Sequence, residues 1–170
     1  MTAAPDRLWT CRYDAPIGAL GLAWDAGGAV RAVSFGRDVA RTAARDYPAA
    51  AVEGGPAPPA VVAALDAYFA GRIEALGEIP WAVTGEGFQP RVWRALADIP
   101  AGATISYGEM ARRAGEPGAA QAAGVALNRN PIPLILPCHR VIGADGALVG
   151  FGGGLECKTW LLRHEGALLI

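Results

Sequence analysis

The 170-residue sequence predicts a mixed α/β (α+β) protein: a small N-terminal β-sheet domain carrying helices, then a C-terminal, mainly helical domain. Three observations lead there. Apolar runs at Leu8–Tyr13, Ile17–Trp24 and Val30–Phe35 are parted by the turn sequences Ala15-Pro16 and Asp25-Ala26-Gly27-Gly28. A short polar link, Thr84 to Gly87, separates this β-rich half from the C-terminal half. Beyond the link, helix-start signals and glycine turns recur at short intervals. The domains are therefore set at 1–84 and 88–170.

In the first domain, Val39 to Asp46 reads as a short helix, and Tyr47 to Pro59, with four prolines, as a surface loop. Ala60 to Ala70 reads as a helix with Val61, Leu65, Tyr68 and Phe69 at helical spacing, stopped by Gly71. In the second domain, Pro90 suits the first position of a helix running to about Asp98, with Val92, Trp93 and Leu96 inward. Ser106-Tyr107-Gly108-Glu109 is a capping box that opens a further helix ending at Gly115. Glu116-Pro117-Gly118 makes a turn, and Ala119 to about Leu127 forms a helix of small residues. This pair is a helix-turn-helix candidate, although ordinary helical hairpins share the spacing. Asn128 to Pro131 is a turn, Ile132 to Leu136 a buried strand, Gly150 to Gly154 a flexible loop, and Leu155 to His164 a closing helix followed by Gly166.

The bulk properties exclude several classes. With 52% hydrophobic and 18% charged residues, the chain is neither disordered nor fibrous. No apolar run approaches the ~18 residues of a membrane span, and Met1 to Arg7 lacks the apolar core of a signal peptide. A cytoplasmic, monomeric protein without membrane association or obligate protein partner is expected. Three widely spaced cysteines, Cys11, Cys138 and Cys157, argue against a disulfide framework. With only two histidines, no four-ligand metal site is expected, and no cofactor. The net charge of −1 divides unevenly: residues 1–87 carry 7 basic and 10 acidic side chains, residues 88–170 carry 8 and 6. Any nucleic acid would meet the C-terminal half, with modest electrostatic help.

Cys138 and His139 stand where an apolar run gives way to a loop, after Pro137, with Glu165 downstream to orient an imidazole. Adjacent residues in extended structure point to opposite faces, so His139 is not expected to touch the Cys138 sulfur, and a water-bridged proton path between them is expected. A reactive Cys138 and a structural thiol both remain open on these residues alone. Cys11 and Cys157 read as structural thiols, His164 as a helix-end residue, and the tryptophans as core.

The run Asn130-Pro131-Ile132-Pro133-Leu134-Ile135-Leu136-Pro137-Cys138-His139-Arg140-Val141-Ile142-Gly143 closely resembles the active-site signature of the O(6)-alkylguanine-DNA alkyltransferases, or methylated-DNA–protein-cysteine methyltransferases. Similarity extends over about residues 88–166, through Phe88-Gln89-Pro90-Arg91-Val92-Trp93, Ile105 to Glu109 and Gly152 to Leu162. The resemblance implies irreversible, single-turnover transfer of an alkyl group from guanine in DNA to Cys138, with alkylated thymine left open as a further substrate. It implies that Glu165 and His139 relay the cysteine proton through a water, that Asn130 braces the turn, and that Tyr107 donates to a guanine ring nitrogen. Backbone groups of Cys138 and Val141 would read the guanine amino group, and the Gly152 amide would approach its oxygen. The remaining DNA- or substrate-binding residues are Gln121, Ala120, Gly124, Arg140 and Phe151. The target carbon lies in a stacked duplex, so the nucleotide must flip out. Where the family usually has an arginine that fills the gap, this sequence has Gln121, shorter and uncharged; Phe151 stands where many relatives have tyrosine. Other readings of the same residues are a small-molecule or non-duplex alkyl donor, a damage-binding protein of low transfer activity, and a thiol hydrolase.

Overall fold

The computed structural model describes residues 3–36, 38–146 and 151–168, and they form two compact units, Met1–Thr84 and Gly85–Ile170. Gly150, expected at the start of the glycine-rich loop, lies outside the described residues.

The first unit is built on a four-stranded sheet. β1 (Arg7–Ala15), β2 (Gly18–Trp24) and β3 (Val30–Phe35) form an antiparallel meander, and β4 (Ala51–Gly54) adds to β1 in parallel, giving the order β3-β2-β1-β4. β4 falls inside the stretch expected to be a loop. Its sequence, Ala-Val-Glu-Gly, has little strand character of its own, and it pairs because β1 offers a free backbone edge from Arg7 to Thr10. α1 (Val39–Asp46) packs on the sheet, capped by the Asp38 carboxylate, which accepts from the Ala40 amide at 2.9 Å. Leu8, Ala23, Ala32, Val39, Ala43 and Tyr47 form the core between them. α2 (Pro59–Phe69) comes next, and Gly71 after it takes φ +117°, a conformation open to glycine.

The second unit is mainly helical: α3 (Phe88–Leu96), α4 (Tyr107–Arg113), α5 (Ala120–Asn128) and α6 (Leu155–His164), with a two-stranded parallel pair, β5 (Ile105–Ser106) and β6 (Val141–Ile142). Pro90 sits at the third rather than the first position of α3, which costs nothing because first-turn amides have no intrahelical acceptor. Val92 and Leu96 are fully buried, while half-buried Trp93 donates its indole N–H to the Ala126 carbonyl at 2.7 Å and so ties α3 to α5. At α4 the capping box is only half formed. The Ser106 hydroxyl accepts from the Glu109 amide, but the Glu109 carboxylate turns to Arg112 and Arg113. α4 and α5 are joined by a turn with Gly115 and Gly118 at φ +90° and +88°, giving the helix-turn-helix arrangement. No helix among the described residues is long and apolar enough to cross a membrane.

Gly21 in β2 shows how tightly α1 seats on the sheet. A Cβ there would lie 2.5 Å from the Val39 Cβ and 2.6 Å from the Ser34 hydroxyl. Gly21→Ala is therefore expected to destabilise the protein by about 1–3 kcal/mol, read as a lower denaturant midpoint; an unchanged midpoint would show that α1 shifts freely.

Candidate active site

The loop before Cys138 is shaped by what its backbone lacks. Pro133 removes a donor inside the run Ile132 to Leu136, and Pro131 and Pro137 flank it, which disfavours a regular strand there. The expected strand is replaced by turns, with Leu134 at φ +76°, the only non-glycine residue at positive φ among the described residues. Asn130 supplies the missing bonds: its amide nitrogen donates to the Leu136 carbonyl and its amide oxygen accepts from the Ile132 N–H, both at 2.9 Å. The Leu136 N–H donates to the Ile132 carbonyl and the Cys138 N–H to the Leu136 carbonyl, at 2.9 and 2.8 Å. Cys138 then opens a single 3-10 turn, Cys138–Arg140. The alternation expected of Cys138 and His139 therefore does not hold, because the backbone there is helical rather than extended.

Two further pieces converge on this turn. β5 and β6 pair Ile105 with Val141 and Ser106 with Ile142, which sets Tyr107, the first residue of α4, beside the cysteine segment. α6 delivers Glu165 as its C-terminal cap. The Glu165 side chain has no exposed surface and accepts from His139 Nε2 at 2.8 Å, from Arg140 Nε at 2.8 Å and from Arg140 Nη2 at 3.0 Å. Arg140 Nη1 donates to the Ile99 carbonyl at 2.7 Å. Arg140 was expected among the substrate-binding residues. Instead it is buried, with its guanidinium spent on Glu165 and Ile99.

Burial pushes the Cys138 thiol up to about 11, against opposing pulls from Asn130, the Lys158 charge and the backbone amides of Cys138 and Leu134. It also holds His139 below its usual value, although Glu165 pulls the other way. For Glu165, burial disfavours the charge, but hydrogen bonds from His139 and Arg140 and their charges outweigh it, so the carboxyl stays well below the ordinary range. The resting state is thus a thiol, a neutral imidazole and a carboxylate. An ionised carboxylate only accepts, so the His139 proton sits on Nε2. Nδ1, buried with no hydrogen-bond partner among the described residues, carries the free lone pair.

A small cavity beside the sulfur is lined by Tyr107, Leu127, Asn128, Cys138, Phe151 and Gly152. Phe151 meets His139 edge-on, with ring centroids 6.2 Å apart. On α5, Gln121 is exposed, Ala120 half-buried, and Gly124 faces the Tyr107 ring, where a Cβ would make ordinary contact at 3.8 Å. Val141 is buried and carries the carbonyl to which Lys158 Nζ donates at 2.8 Å. Lys158, 1% exposed, is the residue sequence reasoning missed. Its signal was a charge in register with Leu161, Leu162 and Glu165 on the inward face of α6. Leu127 and Asn128, at the end of α5, were likewise not singled out.

Residues 87–167 match the family described as 6-O-methylguanine DNA methyltransferase, DNA binding domain. A Mycobacterium tuberculosis OGT whose crystal structure contains DNA shares 40% identity with this chain, covering 95% of this chain and 93% of that one, with a TM-score of 0.76. The chain belongs to the O6-methylguanine DNA methyltransferase family. Two curated relatives named methylated-DNA–protein-cysteine methyltransferase match over a shorter stretch: 48% identity over 106 residues in Shigella flexneri and 56% over 104 in Mycobacterium leprae. In both cases the match spans 62% of the relative's length and 61–62% of this chain. The family match encloses every residue of the site, from Tyr107 to Glu165.

Removing the Glu165 charge would leave Arg140 buried without its partner. Glu165→Gln should cost about 3–5 kcal/mol near neutral pH. Because the folded carboxyl titrates below the unfolded one, its contribution is complete above the ordinary carboxylate value of about 4.3 and is lost as pH falls through the folded value. The stability gap between wild type and variant should therefore narrow on acidification; a gap independent of pH would show that the ionised carboxylate is not what is lost.

Proposed function

We propose that this protein repairs DNA by direct reversal, transferring a methyl or other alkyl group from the exocyclic oxygen of guanine to Cys138 in a single turnover. The observation that carries this reading is the buried His139–Glu165 pair next in sequence to Cys138, with Cys138 lining a small cavity together with Tyr107 and Gly152. An alkyl ether is unreactive toward weak nucleophiles, and a thiolate is a strong, soft one. In the proposed path a water carries the Cys138 proton to His139 Nδ1, and Glu165 stabilises the imidazolium through Nε2. The sulfur attacks the alkyl carbon, the carbon–oxygen bond breaks with its electron pair going to the base, and the proton ends on guanine. Tyr107 donates to a ring nitrogen, the carbonyls of Cys138 and Val141 accept from the guanine amino group, and the Gly152 amide lies near its oxygen. The thioether formed is a very poor leaving group, so the acceptor is spent. The same chemistry extends to alkylated thymine. The protein acts as a cytoplasmic monomer without an obligate protein partner.

The base reaches the cavity by flipping from the duplex, with α5 along the minor groove. Two features of the helix pair α4 and α5 favour a non-duplex donor as the second reading. The exposed face of α5 presents Gln121, Ala122, Val125 and Asn128, none of them charged. The arginines of the neighbouring α4 are paired with Glu109.

Two experiments test these readings. With one equivalent of methylated-guanine DNA, intact-protein mass spectrometry should show one added methyl, mapping to the Cys138 peptide, after which reaction stops; repeated turnover or methyl on Cys11 or Cys157 would refute the proposal. Flipping costs a few kcal/mol of stacking and pairing, and Gln121 offsets less of it than arginine. Gln121→Arg should therefore speed single-turnover repair of duplex while leaving reaction with the free modified base nearly unchanged. An equal effect on both substrates would move residue 121 out of the flipped-base gap.

A further inference from the structure

We propose that Arg140 is a positioning residue that sets which nitrogen of His139 can take the Cys138 proton. This role deepens the proposed alkyl-transfer reading and rests on it only for the identity of the acceptor thiol.

Glu165 is an awkwardly placed carboxylate. It caps the C-terminus of α6, where the last carbonyls present partial negative charge, and its side chain is fully buried. Both conditions favour a protonated carboxyl. A protonated Glu165 would be a hydrogen-bond donor. Facing His139 Nε2, it would donate a hydrogen bond to that nitrogen's lone pair and hold the imidazole proton on Nδ1. The base would then point the wrong way, with its lone pair toward Glu165.

Arg140 prevents this. Its guanidinium does not deprotonate in proteins, and it grips both carboxylate oxygens: Nε on Oε1 at 2.8 Å and Nη2 on Oε2 at 3.0 Å. Nη1 is anchored on the Ile99 carbonyl at 2.7 Å, so the fork has one orientation. Oε2 is the same oxygen that meets His139 Nε2. With Glu165 fixed as an anion, Nε2 must donate, and Nδ1 is left as the only lone pair on the ring. That atom is buried and has no hydrogen-bond partner among the described residues. The guanidinium also offsets the Glu165 charge, so His139 stays neutral and able to accept, rather than already protonated. Besides Glu165 and Arg140, the charged group acting on His139 is Lys158 from α6, which also acts on Cys138.

The test uses iodoacetamide in place of DNA, so its outcome is independent of whether the DNA reading holds. Modification of Cys138 is followed by peptide mass mapping as a function of pH, in wild type, Arg140→Met and Arg140→Lys. In wild type no carboxyl titration should limit the rate between pH 5 and 8. In Arg140→Met the rate at pH 6 should fall at least tenfold and recover along a new limb as Glu165 ionises at higher pH. Arg140→Lys, which keeps the charge but not the two-point grip, should remove that limb. A drop of equal size at every pH, or no drop, would overturn the proposal. Should Arg140→Met not fold, nitrogen-15 chemical shifts of His139 in the wild type decide: Nε2 protonated is required, and Nδ1 protonated sinks the idea.

Discussion

The carboxylate of Glu165 is the constraint on which the site depends. It is taken out of water at the end of α6 and must be satisfied from within. His139 and Arg140 satisfy it, and because they are neighbours in sequence, doing so fixes the whole Cys138–Arg140 turn against α6. Gly102 belongs to the same constraint. At φ +87°, it brings the connector before β5 so close that a Cβ would lie 3.1 Å from the Glu165 carbonyl. The connector, the 3-10 turn and the last helix thus meet around one buried charge. A hydrophobic contact in its place can give equal stability, but would leave nothing to orient the imidazole.

The thiol presents the opposite problem. For the proposed single-turnover transfer, the nucleophile must not be wasted on oxidants or stray alkylating agents. Burial does this by raising Cys138 to about 11 and leaving the residue 8% exposed. The groups that pull the other way, Asn130, Lys158 and the amides of the preceding loop, are all fixed before any substrate arrives. They stabilise negative charge on sulfur when it forms without needing to move, which is the economical way to lower a barrier in a site of low polarity. Leu134 at positive φ fits here: a bulky residue in that region is strained, and the strain is held by Asn130 and the surrounding backbone bonds in the segment that leads to the sulfur.

Much of this was legible in the sequence where a local pattern decides the outcome. The three strands of the meander, α1 and α6 lie where periodicity and turn residues put them, because each owns its signal. What failed was decided by partners elsewhere. β4 forms because β1 offers an edge. The apolar run Ile132–Leu136 looked like a strand because apolar content was weighed above the prolines that withhold its donors. Arg140 was expected among the substrate-binding residues because nothing local says that a carboxylate 25 residues away will bury it. Cys138, His139 and Glu165 stood out by residue type and position, and the motif resemblance decided for a reactive thiol, whereas Lys158 needed only the observation that a charge shared the apolar face of α6.

Charge is divided between the two ends of the site. The strongly held charge of the site lies behind the sulfur, in Glu165, Arg140 and Lys158. The exposed face of α5 in front of it is neutral from Gln121 to Asn128, and only Arg129 comes after. For the proposed repair of a rare lesion among many intact bases, tight phosphate binding gains little, since that term is the same at every site. In that proposed reaction a neutral approach face would leave discrimination to the cavity, where an unpaired or weakly stacked base enters most cheaply. On this reading the uncharged helix and the highly charged interior are one design: weak, indifferent contact with the strand outside, and a fixed field waiting for the one base that can reach the thiol.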